Sequence, residues 1–280
     1  MRNSNFLFFT LFIITASFAQ KTSEEFKYKA TYKLTFQSDS TDIESRQTEN
    51  MLLYLGDKIS HFGSEGSIIK DSLMSNRDPN NKSMAALGKI QAQIPPTKFN
   101  YHIYKKLDQN TLIFAEKIVK TKYLYKEALN QINWEILPET KTLHDYKLQK
   151  ATCNFAGRKY TAWFAPEIPI PDGPYKFNGL PGLIMEITDQ KDHYSFELVS
   201  LKTLKTPVNH EFEIEDYLEI SQQELEKVSE NYDRDPIGAV EEAGITFGFA
   251  PGQREKMHQE HLKELKKKNN PIELEIELKN

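Results

Sequence analysis

Between residues 26 and 36 the even positions read Phe26, Tyr28, Ala30, Tyr32, Leu34 and Phe36, while the odd positions read Lys27, Lys29, Thr31, Lys33 and Thr35. Successive side chains of a strand point to opposite faces, so this period of two predicts a long strand with one buried and one wet face, as in an antiparallel sheet. The signature recurs. Met51 to Leu55 and Lys58 to Phe62 flank Gly56-Asp57 and predict a hairpin with a two-residue turn. Phe99, Tyr101 and Ile103 alternate ahead of Asp108-Gln109-Asn110 and the strand Leu112-Ile113-Phe114, and Lys122 to Tyr125 follows as another strand. Further strands are expected at Trp134 to Leu137, at Lys147 to Phe155 and Lys159 to Phe164 around Ala156-Gly157-Arg158, and at Leu183 to Thr188 and His193 to Leu201.

Two segments read as helices. Ser221 with Glu224 is a capping box and starts a helix running to about Tyr232, ahead of Pro236. A second helix runs from near Pro251 to Lys268, with its basic residues at the negative end of the helix dipole. Asp71 to Pro96 loses the alternation and reads as an excursion with at most a short helix around Met84 to Ala92. The expected fold is mainly β: a large curved antiparallel sheet, an open barrel or bowl, with a few helices mostly in the C-terminal third.

The start of the chain has the pattern of an export signal. Arg2 precedes the apolar run Phe6 to Ile14, and Ser17 and Ala19 stand at −3 and −1 of a cut before Gln20. The expected organisation is a cleavable signal at 1–19, a β-rich domain at 20–204 and a helix-containing extension at 205–280 packed on the same domain. No later apolar run is long enough to span a bilayer as a helix, so no transmembrane segment is expected in the mature chain. The net charge of −4 argues against nucleic acid, which needs a surplus of Lys and Arg against phosphate. Cys153 is the only cysteine, so the chain forms no internal disulfide and the thiol is expected to be buried.

The searchable catalytic signatures, including G-x-S-x-G, H-E-x-x-H and the phosphate-binding glycine loops, are absent. His258 and His261 are spaced for one helix face but read as the edge of an amphipathic face rather than a metal site, and Cys153 with His144 reads as structural rather than catalytic. No cofactor and no catalytic residue is assigned. Paired carboxylates from distant strands would leave no local signature.

One block stands apart. After Trp163-Phe164 the chain reads Ala165-Pro166-Glu167-Ile168-Pro169-Ile170-Pro171-Asp172-Gly173-Pro174-Tyr175-Lys176-Phe177-Asn178 and then Gly179-Leu180-Pro181-Gly182-Leu183-Ile184. The prolines stiffen an extended approach, and Gly179 and Gly182 permit backbone angles or contacts that a side chain would block. The block resembles the GLPGLI family of exported Gram-negative bacterial proteins of unknown function. The hexapeptide matches throughout, and the likeness extends to Lys150-Ala151-Thr152-Cys153, to Gly157-Arg158-x-Tyr160-x-Ala162-Trp163-Phe164 and to Gly173-Pro174-Tyr175-Lys176-Phe177. It implies an organisation similar to the β-rich, bowl-like N-terminal domain of a bacterial peptide N-glycosidase, a part not credited with catalysis. The family's members are often encoded beside outer-membrane TonB-dependent receptors, which implies an accessory role at the envelope, periplasmic or at the outer membrane.

Together these features point to a non-catalytic binding or accessory protein, with an outer-membrane TonB-dependent receptor as partner and a lipid or peptide as ligand. Arg158, Tyr160, Trp163, Tyr175 and Phe177 are the candidate binding residues. Gly173, Pro174, Gly179, Leu180, Pro181, Gly182, Leu183 and Ile184 are the structural motif. The alternatives are an envelope hydrolase acting on glycans or peptides through paired carboxylates, and a purely structural envelope protein.

Overall fold

A computed structural model describes residues 25–274 except residues 82 and 210–213, so the expected export signal and part of the 205–215 connection lie outside the described residues. Twelve strands form one sheet: β1 Glu25–Gln37, β2 Arg46–Gly56, β3 Ile59–Ser64, β4 Tyr101–Lys106, β5 Thr111–Ile118, β6 Thr121–Ala128, β7 Glu135–Leu143, β8 Tyr146–Phe155, β9 Arg158–Ala165, β10 Leu183–Asp189, β11 Tyr194–Asn209 and β12 Leu218–Glu219. Their order is β12-β6-β5-β4-β3-β2-β1-β11-β10-β9-β8-β7. Neighbours are antiparallel except the two-residue β12, which runs parallel to β6. The sheet is therefore mainly antiparallel and open, as the alternation predicts.

Its shape follows from one contact pattern. Strands β5 and β9 are seven places apart, roughly 34 Å across a flat sheet at about 4.8 Å per strand. Yet the Lys176 ammonium lies 5.8 Å from the Phe114 ring of β5, and the ring of its neighbour Phe177 lies 4.8 Å from that of Tyr160 on β9. The sheet must curl around the connection between β9 and β10 to bring both walls to two adjacent residues. The main core lies on this inner face, where Tyr32, Phe62, Phe164, Phe177 and Phe196 are fully buried. The concavity expected from the sequence is thus filled by the motif block itself.

A smaller cluster of Phe26, Ile59, Tyr104, Ile113, Ala115 and Leu124 forms on the other face. Phe26 reaches it through a bulge. Tyr28 pairs with Leu55 but Phe26 with Gly56, so one extra residue on β1 flips Phe26 away from the face shared by Ala30, Tyr32 and Leu34. Simple alternation places Phe26 with the others, and the bulge overrides it. The hairpin turn likewise centres on Asp57-Lys58 rather than Gly56-Asp57, since Leu55 pairs with Ser60.

Five α-helices are present: α1 Glu65–Ser75, α2 Met84–Gln91, α3 Gln222–Arg234, α4 Pro236–Glu242 and α5 Gln253–Leu265. The capping box at Ser221 and Glu224 forms as expected. Helices α1 and α4 were not expected. Ser64 caps α1 by accepting from the Ser67 N–H, but Gly66 and three serines weaken the propensity that would announce a helix. Asp235 caps α4, whose Pro236 stands where a missing N–H costs least.

At the end of the motif block Gly182 runs so close to β9 that a Cβ would be driven into the Ala165 carbonyl. Gly182→Ala should cost about 1–3 kcal/mol through overpacking against backbone that cannot yield. Urea denaturation checks this, and an unchanged midpoint would mean that the β9–β10 connection is not packed as described.

Candidate functional site

Three charged side chains organise the inside of the curl. The first is Lys105, which continues the inward-facing series Tyr101 and Ile103 on β4 and is fully buried. Its ammonium donates to Asp172 Oδ1 at 2.5 Å, to the Gly173 carbonyl at 2.8 Å and to the Phe177 carbonyl at 3.1 Å. All three N–H bonds are thereby directed at the motif block. Burial pushes the Lys105 pKa down, and the Asp172 carboxylate opposes that shift.

Several more of the block's backbone groups are paired, some with distant side chains. Gly179 N–H donates to Pro171 O, Ile184 N–H to Asp172 O, the Trp134 indole to Asn178 O and the Tyr32 hydroxyl to Ile184 O. Gly179 adopts φ +92°, where a side chain is strained, and a Cβ there would press on Asn130.

The second is Lys176, also buried, which lies 2.7 Å from Glu273 and 3.3 Å from Glu127. The rings of Tyr125, Tyr175 and Phe114 lie 5.2 to 5.8 Å from its ammonium. Burial works to lower its pKa, but Tyr125, Glu273 and Glu127 outweigh it and hold the charge more firmly than in water. Glu273 also accepts from the Tyr175 hydroxyl at 2.5 Å and from Gln222 of α3 at 3.1 Å. Beside them is a cavity of about 70 Å³ lined by Glu127, Gln131, Asn154, Lys176, Asn178, Gln222 and Glu273 among others.

The third is Arg158 at the start of β9. It donates to Asp189 Oδ2 at 3.2 Å, to Asn270 Oδ1 at 2.7 Å, to the Pro271 carbonyl at 2.5 Å and to the Ile272 carbonyl at 3.0 Å, and stacks 5.0 Å over Tyr194. The Tyr194 hydroxyl donates to the Asn270 carbonyl at 2.7 Å.

Of the sequence-derived binding residues, Arg158, Tyr160, Tyr175 and Phe177 converge on this inner face and are buried. Trp163 faces the opposite way, with the Lys141 ammonium 4.6 Å over its ring. Within the motif Gly173 supplies a carbonyl to Lys105, Pro174 supplies one to the Phe177 N–H, and Leu180, Leu183 and Ile184 enter the main core. Pro181 lies between Leu180 and Gly182, whose carbonyl and N–H bond across it.

Asp172 and Lys176 enter the sequence reading only as parts of the motif block, and Lys105, Glu127, Glu273 and Asn270 were not singled out from sequence. Of those four, Lys105 alone left a signal: a lysine in phase with the apolar side of an alternating strand.

Cys153 is buried on β8, and burial pushes its thiol up to about 12, which opposes nucleophilic chemistry. His258 faces Asp235 at 3.7 Å and His261 bonds the Asp233 carbonyl at 2.5 Å. Among the described residues no group of three or more His, Cys, Asp or Glu is placed to hold a metal. On the outer face Ser67 Oγ and Asp71 Oδ2 both approach His102 Nε2, at 2.9 and 3.0 Å, and His61 takes His102 Nδ1. Ser67 is buried in the first turn of α1, so this cluster fastens the helix rather than exposing a nucleophile.

The model of the family described as "Protein of unknown function (Porph_ging)" matches residues 154–186. PNGF-II, solved in P21 and C2 space groups, is similar in fold, with TM-scores of 0.51 and 0.50. In both cases the identity is 12%, and the match covers 72% of this chain and 32% of that one. The chain thus spans about a third of PNGF-II, and at this identity the likeness concerns the fold. No curated protein matches the sequence.

Glu116 on β5, with Tyr101 and Tyr123 as cross-strand partners, lies near this region. Burial, with the charge of Asp233 adding, raises its carboxyl from 4.5 to about 7. The folded state then holds a proton that the unfolded state has lost, so this group's effect on stability worsens as pH rises from 4.5 to 7. Glu116→Gln should flatten that part of the stability profile. Urea midpoints from pH 4.5 to 8 check it, and an unchanged slope in the variant would contradict the assignment.

Proposed function

We propose that this chain is a non-catalytic binding or accessory module of the bacterial envelope, acting after export and serving a partner such as an outer-membrane TonB-dependent receptor. The observation that carries this reading is the convergence of Arg158, Tyr160, Tyr175 and Lys176 on one short stretch of polypeptide, residues 270–273. Side chains from the motif region grip a chain segment, as a peptide-binding surface does. Two carboxylates in the region, Glu127 and Glu273, share one ammonium and border a cavity of about 70 Å³. That volume suits a few water molecules, not a sugar or a peptide unit. The fold shared with a third of PNGF-II supports reading the sheet as a module that also occurs within longer chains.

Affinity purification of the tagged mature protein from its native envelope after mild cross-linking, with mass spectrometry, tests the proposal. A specific protein or peptide partner is expected. Recovery of none, together with glycan or peptide hydrolysis that Glu127→Gln abolishes, would replace it with the hydrolase reading.

A further inference from the structure

Beyond α5 the chain returns to the sheet as a strap, Asn269 to Leu274. Among the described residues it makes one backbone bond to the sheet, from Leu274 N–H to the Ala156 carbonyl at 2.9 Å. Side chains do the rest. Asn270 is 4% exposed: its amide donates to the Gln37 carbonyl and accepts from Arg158, while its carbonyl accepts from Tyr194. Three residues on, Glu273 accepts from Tyr175, Lys176 and Gln222. Arg158, Tyr160 and Tyr194 also donate to strap carbonyls, which any sequence supplies, whereas the side-chain contacts of Asn270 and Glu273 depend on an amide and a carboxylate three residues apart.

Glu273 is also one wall of the cavity beside Lys176, so departure of the strap opens that cavity. It would leave Arg158 with Asp189, and Lys176 with Glu127 and the aromatic rings, each with donors to spare. Buried donors without partners are costly, so the cleft favours exchange of one matching segment for another over standing open.

We propose that the cleft lined by Arg158, Tyr194, Tyr175 and Lys176 recognises a segment of another polypeptide with an amide side chain and a carboxylate three residues later, and that residues 269–274 occupy it in cis as a competing latch. This rests on the binding reading above and adds the ligand class and its regulation. A tethered competitor acts at a millimolar-scale effective concentration, so the intact chain binds its partner weakly until the latch is outcompeted.

The test uses the full mature chain and a fluorescent synthetic peptide of residues 267–276. Asn270→Ala with Glu273→Gln weakens the latch and leaves the cleft intact, and Glu273→Gln alone serves if the pair fails to fold. Fluorescence anisotropy should show saturable binding to the latch-weakened protein, roughly tenfold or more tighter than to wild type. A peptide carrying the same two changes should not bind, and adding Arg158→Ala should abolish binding. No binding to a folded latch-weakened protein, equal binding to wild type, or equal binding of the altered peptide would each overturn the latch. Envelope partners recovered equally by wild type and latch-weakened protein would overturn the latch while preserving the binding reading.

Discussion

A loop inside a protein carries backbone groups that water can no longer reach, and most folds avoid the problem by keeping loops on the surface. Here the β9–β10 connection is the interior of a curled sheet, and Lys105 makes that tolerable. One ammonium binds the Asp172 carboxylate and the Gly173 and Phe177 carbonyls. A buried charge pair contributes little net stability against an apolar replacement, but losing one partner typically costs about 3–5 kcal/mol. The pair therefore acts as a specificity device: it selects one position of the loop against β4, and the wrapping of the sheet follows from that position.

The rest of the site inherits its geometry from this arrangement. With the block fixed, Lys176 faces β5 and β6, Tyr175 packs against Tyr101 of β4, and Phe177 packs on β9. Arg158 opens β9 after the Ala156-Gly157 turn, both of whose residues have positive φ, as a tight two-residue hairpin turn requires. These side chains line the path on which the strap lies, so one constraint inside the sheet sets the recognition chemistry at its rim. PNGF-II shares the fold at 12% identity.

Strands were legible because period-two alternation survives wherever one face is buried and the other wet. It misled at Phe26, where a bulge invisible to composition reverses the face. Helix α1 was hidden by its Ser- and Gly-rich start, since its stability comes from Ser64 capping and from Ser67 and Asp71 bonding His102 across the sheet. The motif block announced itself through proline and glycine. Its buried charge partners did not, because Lys105 lies 67 residues from Asp172, and Glu127 and Glu273 lie 49 and 97 residues from Lys176, and pairing across such separations leaves no local pattern. An inward-phased lysine at 105 was the one clue.

Hydrogen exchange in Lys105→Met, followed by mass spectrometry under native conditions, tests the central claim most directly. Peptides spanning 166–184 should lose protection while the β1–β2–β11 core keeps its own, because the variant removes the donor that holds the loop and leaves that ladder intact. Unchanged protection across 166–184 would contradict the account, since the loop would then be held without Lys105.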